Sequence, residues 1–335
     1  MKIAILRFSA LGDVAMTVPV VDSVARQYPD VDFLFVSKPF MAPLFEQMPP
    51  NVIFLEADIK GEYKGIAGLW HLAQKLRAMK VTHVADLHDV LRTMFLRSVL
   101  RFAGLSCRHI AKGRCQKRAL TKHKHGSIKP LKSQFSRYAE VFRKLGFPVT
   151  IDYQPTQREK KADVPSLGIA PFAAHRGKIY PIDLMRQVAD LFIKRHPDGK
   201  IYLFGSPKEM KALRETWQLE NLVFVCDIAK NLGEEIALMA QIHVVVSMDS
   251  ANMHLASLAG TPVVSIWGAT HPFAGFMGYG QSADNVVQED LPCRPCSIYG
   301  KKPCRFGDYR CLSNIRPAKI LDRIDRILST VKASQ

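Results

Sequence analysis

Short apolar runs alternate with longer amphipathic stretches along most of the chain, which predicts strands alternating with helices. The first half predicts strands at Lys2–Arg7, Phe33–Val36, Val52–Leu55 and Val81–Leu87, and helices at Val14–Tyr28, Leu69–Met79, Leu91–Phe102 and Ser133–Leu145. The second half predicts strands at Leu167–Ala170, Lys200–Phe204, Leu222–Cys226, His243–Ser247 and Pro262–Ile266, and helices at Ile182–His196, Pro207–Trp217, Leu232–Gln241, Ala251–Ala259 and Pro317–Val331. Such alternation builds parallel sheets covered by helices, so the fold class is α/β.

The alternation is interrupted once, by a stretch over Phe147–Ser166 that is rich in proline and charge and reads as a linker. A chain of 335 residues is also too long for one small core. We therefore expect two doubly wound Rossmann-like domains facing a central cleft, one over 1–155 and one over 166–316. We expect residues 317–335 to form a C-terminal helix, which can return to the N-terminal domain.

Composition places the chain among globular proteins, with 47% hydrophobic and 23% charged residues. The apolar run at the N-terminus is too short for a signal peptide, and no apolar stretch is long enough to span a bilayer. With seven cysteines and no secretion signal, a reducing cytoplasm is the expected location.

The net charge of +17 is concentrated in one segment. Between Asp89 and Glu140 there is no acidic residue, and the segment contains thirteen basic ones: Arg92, Arg97, Arg101, Arg108, Lys112, Arg114, Lys117, Arg118, Lys122, Lys124, Lys129, Lys132 and Arg137. Such a run can bind nucleic acid, an anionic membrane or a polyanionic substrate, or it can be a solvated surface. The absence of any compensating acid favours binding of an anion.

The stretch from Ser247 to Pro262 reads as the end of a buried strand, a tight turn and a short helix. In open α/β sheets, anionic ligands bind where helix N-termini follow the carboxyl ends of strands. Asp249, Ser250, Ala251 and His254 are therefore candidates to contact a phosphorylated ligand. The alternative is an ordinary turn in which Asp249 only caps the helix.

The first strand is followed by a turn of small residues that includes Gly12 and Asp13. Gly12 stands alone where a dinucleotide-binding loop needs three glycines, which argues against an NAD enzyme. Asp13 lies at the start of a helix, where it acts either as an N-cap or as a general base.

Two loops in the second half carry further candidates. Arg176 and Lys178 follow the strand that ends at Ala170, and a lysine there can neutralise a diphosphate; the alternative is two exposed basic side chains. Glu209 follows the strand that ends at Phe204, and it either accepts hydrogen bonds from ribose hydroxyls or serves as a first-turn acid.

Cys293, Cys296, Cys304 and Cys311 cluster in a loop rich in proline and glycine. Their spacing differs from a standard zinc ribbon, so zinc binding, disulfides and reduced thiols all stay open.

Together these segments resemble glycosyltransferase family 9, the bacterial heptosyltransferases of lipopolysaccharide core assembly. The resemblance is carried by Ser9–Asp13, Lys178, Asp249–His254 and Gly260–Pro262, and by Tyr279-Gly280 and the clustered cysteines. It spans nearly the whole chain. It implies the GT-B fold and inverting transfer of a sugar, heptose in this family, from an ADP-sugar.

The resemblance also implies roles for individual residues. Asp13 matches the acceptor-side base, Lys178 the diphosphate-binding lysine and Asp249 the residue that contacts the donor sugar. Ser250 and Ala251 match positions whose amides approach the phosphates, and His254 matches a histidine of the same helix. The chain departs from the family pattern in two places. Ala173 and Ala174 stand where hydroxyl residues are common, and Ser250-Ala251 stands where Thr-Gly is common, so these positions bear on the identity of the donor.

The implied acceptor is a lipopolysaccharide core precursor, with Kdo or heptose on lipid A, at the inner face of the bacterial inner membrane. We expect Arg92, Lys117, Arg118, Lys122 and Lys124 to bind its carboxylates and phosphates. No cofactor is expected to be required, and Mg²⁺ is not implied, because lysine and helix N-termini can stabilise the leaving group. The alternatives are a nucleotide-sugar epimerase or hydrolase of similar fold, or a non-enzymatic protein that binds polyanions or nucleic acid. The favoured reading predicts no nucleic-acid partner.

Overall fold

A computed structural model of the chain describes residues 1–122, 128–155 and 163–333. Its strands are β1 (Lys2–Leu6), β2 (Asp32–Ser37), β3 (Val52–Glu56), β4 (His83–Asp86), β5 (Ser106–His109), β6 (Ser166–Ala170), β7 (Lys200–Leu203), β8 (Leu222–Phe224), β9 (Val244–Met248), β10 (Val263–Trp267) and β11 (Val286–Gln288). Its α-helices are α1 (Leu11–Ala15), α2 (Val18–Gln27), α3 (Gly65–Ala78), α4 (Leu91–Phe102), α5 (Arg114–Thr121), α6 (Gln134–Lys144), α7 (Ile182–Arg195), α8 (Pro207–Arg214), α9 (Val225–Ile228), α10 (Leu232–Gln241), α11 (Ala251–Leu258), α12 (Arg310–Ser313) and α13 (Pro317–Ala333). Short 3-10 helices cover Pro39–Phe45, Arg176–Lys178, Pro272–Ala274 and Ala283–Asn285.

The chain divides into two compact units. The first unit contains Met1–Lys112 and Lys132–Gln154, and the second contains Gly113–Leu131 and Pro155–Gln335. The segment Gly113–Leu131, which carries α5, belongs to the second unit, whereas the sequence prediction placed it in the first. Within the described residues, no helix has both the length and the hydropathy needed to cross a membrane.

The first unit contains a parallel sheet whose described strands have the order β3-β2-β1-β4-β5. Leu6 and Val36 on the strands pack with Leu72 of α3 and Leu96 of α4 in one buried cluster. The order reverses direction between β1 and β4, which is where ligands bind in sheets of this kind. The residues that follow β1 and β4 are therefore those best placed for chemistry.

The second unit repeats this plan, with the described strands in the order β11-β10-β9-β6-β7-β8. Here the order reverses between β6 and β9. The predicted C-terminal helix α13 lies in this unit, because Ile320 and Ile324 on its apolar face are buried in the core with Phe192 of α7. Asp325 on α13 also forms an ion pair with Arg195 at the end of α7. The expectation that this helix returns to the first unit does not agree with that packing.

The α/β prediction with two doubly wound arrays is confirmed, with local differences. The predicted helix Val14–Tyr28 is divided into α1 and α2. Pro19 lies in the first turn of α2, and Thr17 Oγ1 donates to Val14 O at 2.6 Å where the chain turns. The predicted strand Leu222–Cys226 stops at Phe224, and α9 follows directly. Strands β5 and β11 and helices α5, α9 and α12 were not predicted.

Candidate active site

Asp13 lies at the switch point of the first unit, in the first turn of α1. Its Oδ2 atom is 2.8 Å from Arg7 Nη2 and accepts a hydrogen bond from the Ala10 amide at 3.4 Å. The side chain of Asp13 is 33% exposed, whereas that of Arg7 is 7% exposed. A substrate can therefore reach the carboxylate while the cation beside it stays covered.

Arg7 is held from several sides. Its Nη1 atom donates to Leu87 O at 2.5 Å, and its guanidinium carbon lies 5.8 Å from the centre of the Tyr138 ring. The Tyr138 hydroxyl in turn donates to Asp13 O at 3.2 Å. These contacts fix the position of the carboxylate, which a proton acceptor in catalysis requires.

His88 supports the same turn from the loop that follows β4. Its Nδ1 atom accepts from the Phe8 amide at 3.4 Å, and its Nε2 atom lies 3.5 Å from Ser9 Oγ. Burial, reinforced by the nearby charges of Arg7 and Lys112, lowers the pKa of His88 to about 3. The imidazole is therefore neutral at physiological pH and acts as a hydrogen-bonding support.

Asp86 organises that loop from the end of β4. This fully buried carboxylate accepts hydrogen bonds from the amides of His88 and Asp89 at 2.9 and 2.8 Å, and from Arg97 Nη1 at 2.7 Å. Sequence reasoning assigned no role to Arg7, Asp86 or His88. The signal was available for the last two, since a polar cluster directly after a buried strand is where a doubly wound sheet places its site.

Lys178 and Asp249 meet at the switch point of the second unit. Lys178 lies in the 3-10 turn after β6, Asp249 follows β9, and Nζ is 2.8 Å from Oδ2. The contact does not satisfy hydrogen-bond geometry at Oδ2, so it is an ion pair held mainly by charge. Lys178 is the more exposed partner, at 16% against 5%. Its ammonium is the group that an anionic ligand would meet.

The loop that holds Lys178 is closely packed. The Ala269 amide donates to Gly177 O at 2.8 Å, and a side chain at Gly177 would begin 3.0 Å from Ala269 Cβ and from Gly300 O. Gly300 itself lies against the aliphatic stem of Lys178, since an added Cβ would be 2.7 Å from Lys178 Cγ. Glycine is thus favoured at position 300, where φ is also +75°, and a side chain at position 177 would have little space.

Helix α11 begins beside this pair. Ser250 is its N-cap residue, but its side chain makes no capping hydrogen bond and its Oγ lies 3.2 Å from Ser247 Oγ. The first amides of α11, including that of Ala251, are therefore not capped by Ser250, which suits a helix that binds phosphate. His254 is buried one turn further along the helix.

Glu209 has a structural role in α8. Its Oε2 atom accepts from the amide and the hydroxyl of Ser206 at 2.8 and 2.7 Å, and Ser206 Oγ accepts from the Glu209 amide at 3.4 Å, forming a capping box. This is the first-turn alternative considered for Glu209. A contact from its other oxygen to a ribose stays a prediction.

The structure separates the residues predicted to bind the acceptor. Arg92 is exposed at the start of α4 in the first unit. Lys117, Arg118 and Lys122 belong to the second unit; Arg118 and Lys122 are exposed, but Lys117 is buried. Lys124 lies outside the described residues.

All seven cysteines of the chain are free thiols in the structure. Cys311 is buried, and this burial raises the pKa of its thiol to about 11. Among the residues that the structure describes, no three or more His, Cys, Asp or Glu side chains form a group that could hold a metal ion. The geometry of Cys293, Cys296, Cys304 and Cys311 therefore gives no support to the zinc interpretation.

Known proteins resemble the chain along most of its length. The sequence model of the family described as "Glycosyltransferase family 9 (heptosyltransferase)" matches residues 69–309. Lipooligosaccharide heptosyltransferase 2 of Campylobacter jejuni is 24% identical over 343 residues, covering 98% of this chain and 99% of that protein. The glycosyl transferase family 9 structure from Veillonella parvula superposes with a TM-score of 0.74 at 19% identity, covering 98% and 97% of the two chains. The E. coli ADP-heptose lps heptosyltransferase II superposes with a TM-score of 0.72 at 18% identity, covering 99% and 100%. The two structural likenesses show the fold, which is the expected GT-B type.

Proposed function

This chain belongs to glycosyltransferase family 9, and we propose that it transfers a heptose from ADP-heptose to a lipopolysaccharide core acceptor. It is a glycosyltransferase, which decides against the epimerase and polyanion-binding alternatives. The observation that best supports the donor is the Lys178–Asp249 pair, 2.8 Å apart beside the N-terminus of α11. A cation next to uncapped amides is suited to a diphosphate. The names of the C. jejuni and E. coli relatives support heptose as the sugar.

The proposed reaction is a single displacement. The acceptor hydroxyl oxygen bonds to the anomeric carbon of the donor while the bond from that carbon to the diphosphate oxygen breaks. The hydroxyl proton passes to the carboxylate of Asp13, and the electron pair of the broken bond leaves on ADP. Attack from the face opposite the leaving group inverts the anomeric configuration.

Each candidate residue has a place in this scheme. Lys178 and the amides of Ser250 and Ala251 stabilise the negative charge that develops on the diphosphate. Asp249 orients Lys178 and contacts the donor sugar, and His254 supports the same helix. We also propose that Glu209 accepts hydrogen bonds from the ribose through its second oxygen, in addition to capping α8.

We propose that no metal ion is required, because lysine and helix amides supply the positive charge at the leaving group. Turnover in the presence of EDTA should then equal turnover with added Mg²⁺. A loss of activity with EDTA that Mg²⁺ restores would contradict this part of the proposal.

For the acceptor we propose that Arg92, Arg118 and Lys122, all exposed, contact the carboxylates and phosphates of a Kdo- and lipid A-containing precursor, together with Lys124.

We propose that the enzyme works at the inner face of the bacterial inner membrane. The N-terminal parts of α3 and α4 support a membrane-facing surface. Each helix follows the carboxyl end of a strand in the same parallel sheet, and each carries exposed apolar side chains. Leu91 is 85% exposed, and Ile66 and Trp70 are also exposed, close in sequence to Lys64 and Arg92. Apolar side chains flanked by basic ones suit an anionic bilayer surface.

The deciding experiment incubates the purified full-length protein with ADP-heptose and a truncated lipopolysaccharide and measures ADP release. Release should require the acceptor. Asp13→Asn should lower turnover by about 10²-fold or more, because the proton acceptor is lost. ADP binding should stay unchanged, because the residues proposed to bind ADP belong to the second unit. Lys178→Met should weaken ADP binding.

Two results would count against the scheme. Near-normal turnover of Asp13→Asn would remove the assigned base. ADP release that is equally fast without acceptor would indicate hydrolysis rather than transfer.

A further inference from the structure

Helix α5 lies in a part of the chain that leaves the first unit and returns to it. The segment Gly113–Leu131 lies between two stretches of the first unit, yet it belongs to the second unit. Its far end is fixed there by a hydrogen bond from the Leu131 amide to Phe273 O at 2.8 Å. Phe273 lies in the 3-10 turn that follows β10, at the same sheet edge as Lys178 and Asp249.

Lys117 attaches α5 to this edge through two aromatic rings. Its Nζ atom lies 4.5 Å from the centre of the Phe276 ring and 5.5 Å from the centre of the Tyr299 ring, and it donates to the Tyr299 hydroxyl at 3.4 Å. The two rings are 5.8 Å apart, and Lys117 is only 6% exposed. A lysine placed in this way is held by cation–π attraction that burial strengthens. It is not a surface charge available to a polyanion.

Tyr299 connects this contact to the proposed diphosphate site. The next residue, Gly300, has φ of +75° and lies against the stem of Lys178. Earlier in the same loop, the Ser297 amide donates to Ala269 O at 3.1 Å, and the Ala269 amide donates to Gly177 O. The loop that carries Tyr299 thus forms the wall along which Lys178 extends toward Asp249.

We infer that Lys117 is a positioning residue for the donor diphosphate site, acting through Tyr299 and Gly300 on Lys178. The inference rests on the proposed function for the identity of the donor. It assigns a residue from the basic segment to the donor side of the reaction, whereas the sequence pattern assigned it to the acceptor. Because Lys117 touches the wall and not the phosphates, its loss should affect donor affinity more than the rate of the chemical step.

The test measures ADP binding to the full-length protein by calorimetry, together with the KM for donor and acceptor and kcat. Lys117→Met keeps the length of the stem and removes the charge; we expect ADP affinity to fall by about threefold to tenfold and the donor KM to rise by a similar factor. Acceptor KM and kcat should stay close to wild type. Lys117→Arg should recover most of the affinity, since a guanidinium also binds aromatic faces.

Two variants act as controls. Arg114→Met removes one charge from an exposed position of the same helix and should leave ADP affinity unchanged. An equal loss in both variants would mean a general charge effect and would overturn the positioning role. Lys178→Met tests the proposed donor site itself. If that variant binds ADP normally, the proposed function fails, and the inference fails with it.

The remaining outcomes are also decisive. Wild-type ADP affinity in a folded Lys117→Met protein, with affinity lost in Lys178→Met, would refute the inference alone. A rise in acceptor KM without a change for ADP would return Lys117 to the acceptor. If Lys117→Met does not fold, Tyr299→Leu removes the ring from the other side of the contact and should weaken ADP binding to a similar extent; normal ADP binding by that folded variant would refute the inference.

Discussion

The buried neutral histidine beside Asp13 should make the stability of the first unit depend on pH. The pKa of His88 is lowered from 6.5 to about 3, first by burial and then by the charges of Arg7 and Lys112, while Asp13 opposes the shift. In the unfolded chain the imidazole binds a proton below about pH 6.5. Between these two values the unfolded state holds more protons than the folded state, so stability increases with pH across this window and falls as the pH is lowered.

The size of the effect follows from the two pKa values. Each pH unit inside the window is worth about 1.4 kcal/mol, so lowering the pH from 7 to 4 should remove about 3 kcal/mol of unfolding free energy through His88 alone. The structural reason is specific. A proton on Nδ1 would abolish the hydrogen bond that this atom accepts from the Phe8 amide, and it would place a cation beside Arg7.

The assay compares urea unfolding of the wild type and His88→Asn at several pH values. The Oδ1 atom of asparagine can replace Nδ1 as the acceptor for Phe8 but does not titrate, so the difference between the two curves isolates the histidine from the other titrating groups. Hydrogen exchange of peptides that cover residues 4–14 should show the same loss of protection locally in the wild type. Parallel pH dependences in the two proteins would refute the account of His88 as a buried neutral support.

Three further predictions concern the second unit. Gly300→Ala should weaken ADP binding in calorimetry, because the new Cβ would lie 2.7 Å from a carbon of the diphosphate-binding lysine; Gly307→Ala, at a similar φ of +78° but with nothing within 4 Å, is the matched control and should bind ADP normally. Arg294→Met should lower the unfolding free energy by about 3 kcal/mol or more, since the buried guanidinium donates to backbone carbonyls of Gly268 and Thr270 after β10 and of Glu289 after β11, which would lose their partner; an unchanged thermal transition would contradict this. Ser206→Ala and Glu209→Ala should each lower the free energy of unfolding by about 1 kcal/mol, because each removes the capping box. Only Glu209→Ala should also weaken ADP binding, and equal ADP affinities in the two variants would exclude the ribose contact.

The regular parts of the fold could be predicted because a strand that is buried on both faces of a sheet has a continuous run of apolar residues. Central strands such as β1 and β9 are continuous apolar runs, and the helices between them have a clear apolar face. Strand β5 could not be seen in this way, since it is an edge strand of four residues in which Arg108 and His109 are exposed. Edge strands need less apolar sequence than central ones, and charge on them is common.

Helix α5 was missed for a related reason, and the error affected function. Its sequence is rich in arginine and lysine, so it reads as a charged surface rather than as a helix with a buried face. The residue that anchors it, Lys117, is itself charged and is buried against aromatic rings that lie more than 150 positions further along the chain. Local pattern cannot reveal a contact of that range, and so the whole basic segment was placed in one domain.

The residues of the candidate site could be identified from local sequence, but the contacts between them could not. Asp13, Lys178 and Asp249 could be identified because each follows a predicted strand in a short turn. The side chains that contact these residues depend on which strands are neighbours in the sheet. The spacing of apolar residues does not determine the order of the strands. For this reason the contact of Lys178 with Asp249, and the support of Asp13 by Arg7 and His88, appear only in the folded chain.

Both units place a cation and a carboxylate 2.8 Å apart at the switch point, but they expose opposite members of the pair. In the first unit the carboxylate of Asp13 is a third exposed and Arg7 is covered, whereas in the second unit Lys178 is the more exposed partner and Asp249 is nearly buried. A general base must present its carboxylate to the acceptor hydroxyl, and a group that stabilises a leaving diphosphate must present a positive charge. The buried partner in each pair holds the exposed one in place. Because the exposed partner is the carboxylate in one pair and the ammonium in the other, the two pairs suit different steps. This difference supports assigning proton removal to the first unit and departure of the nucleotide diphosphate to the second.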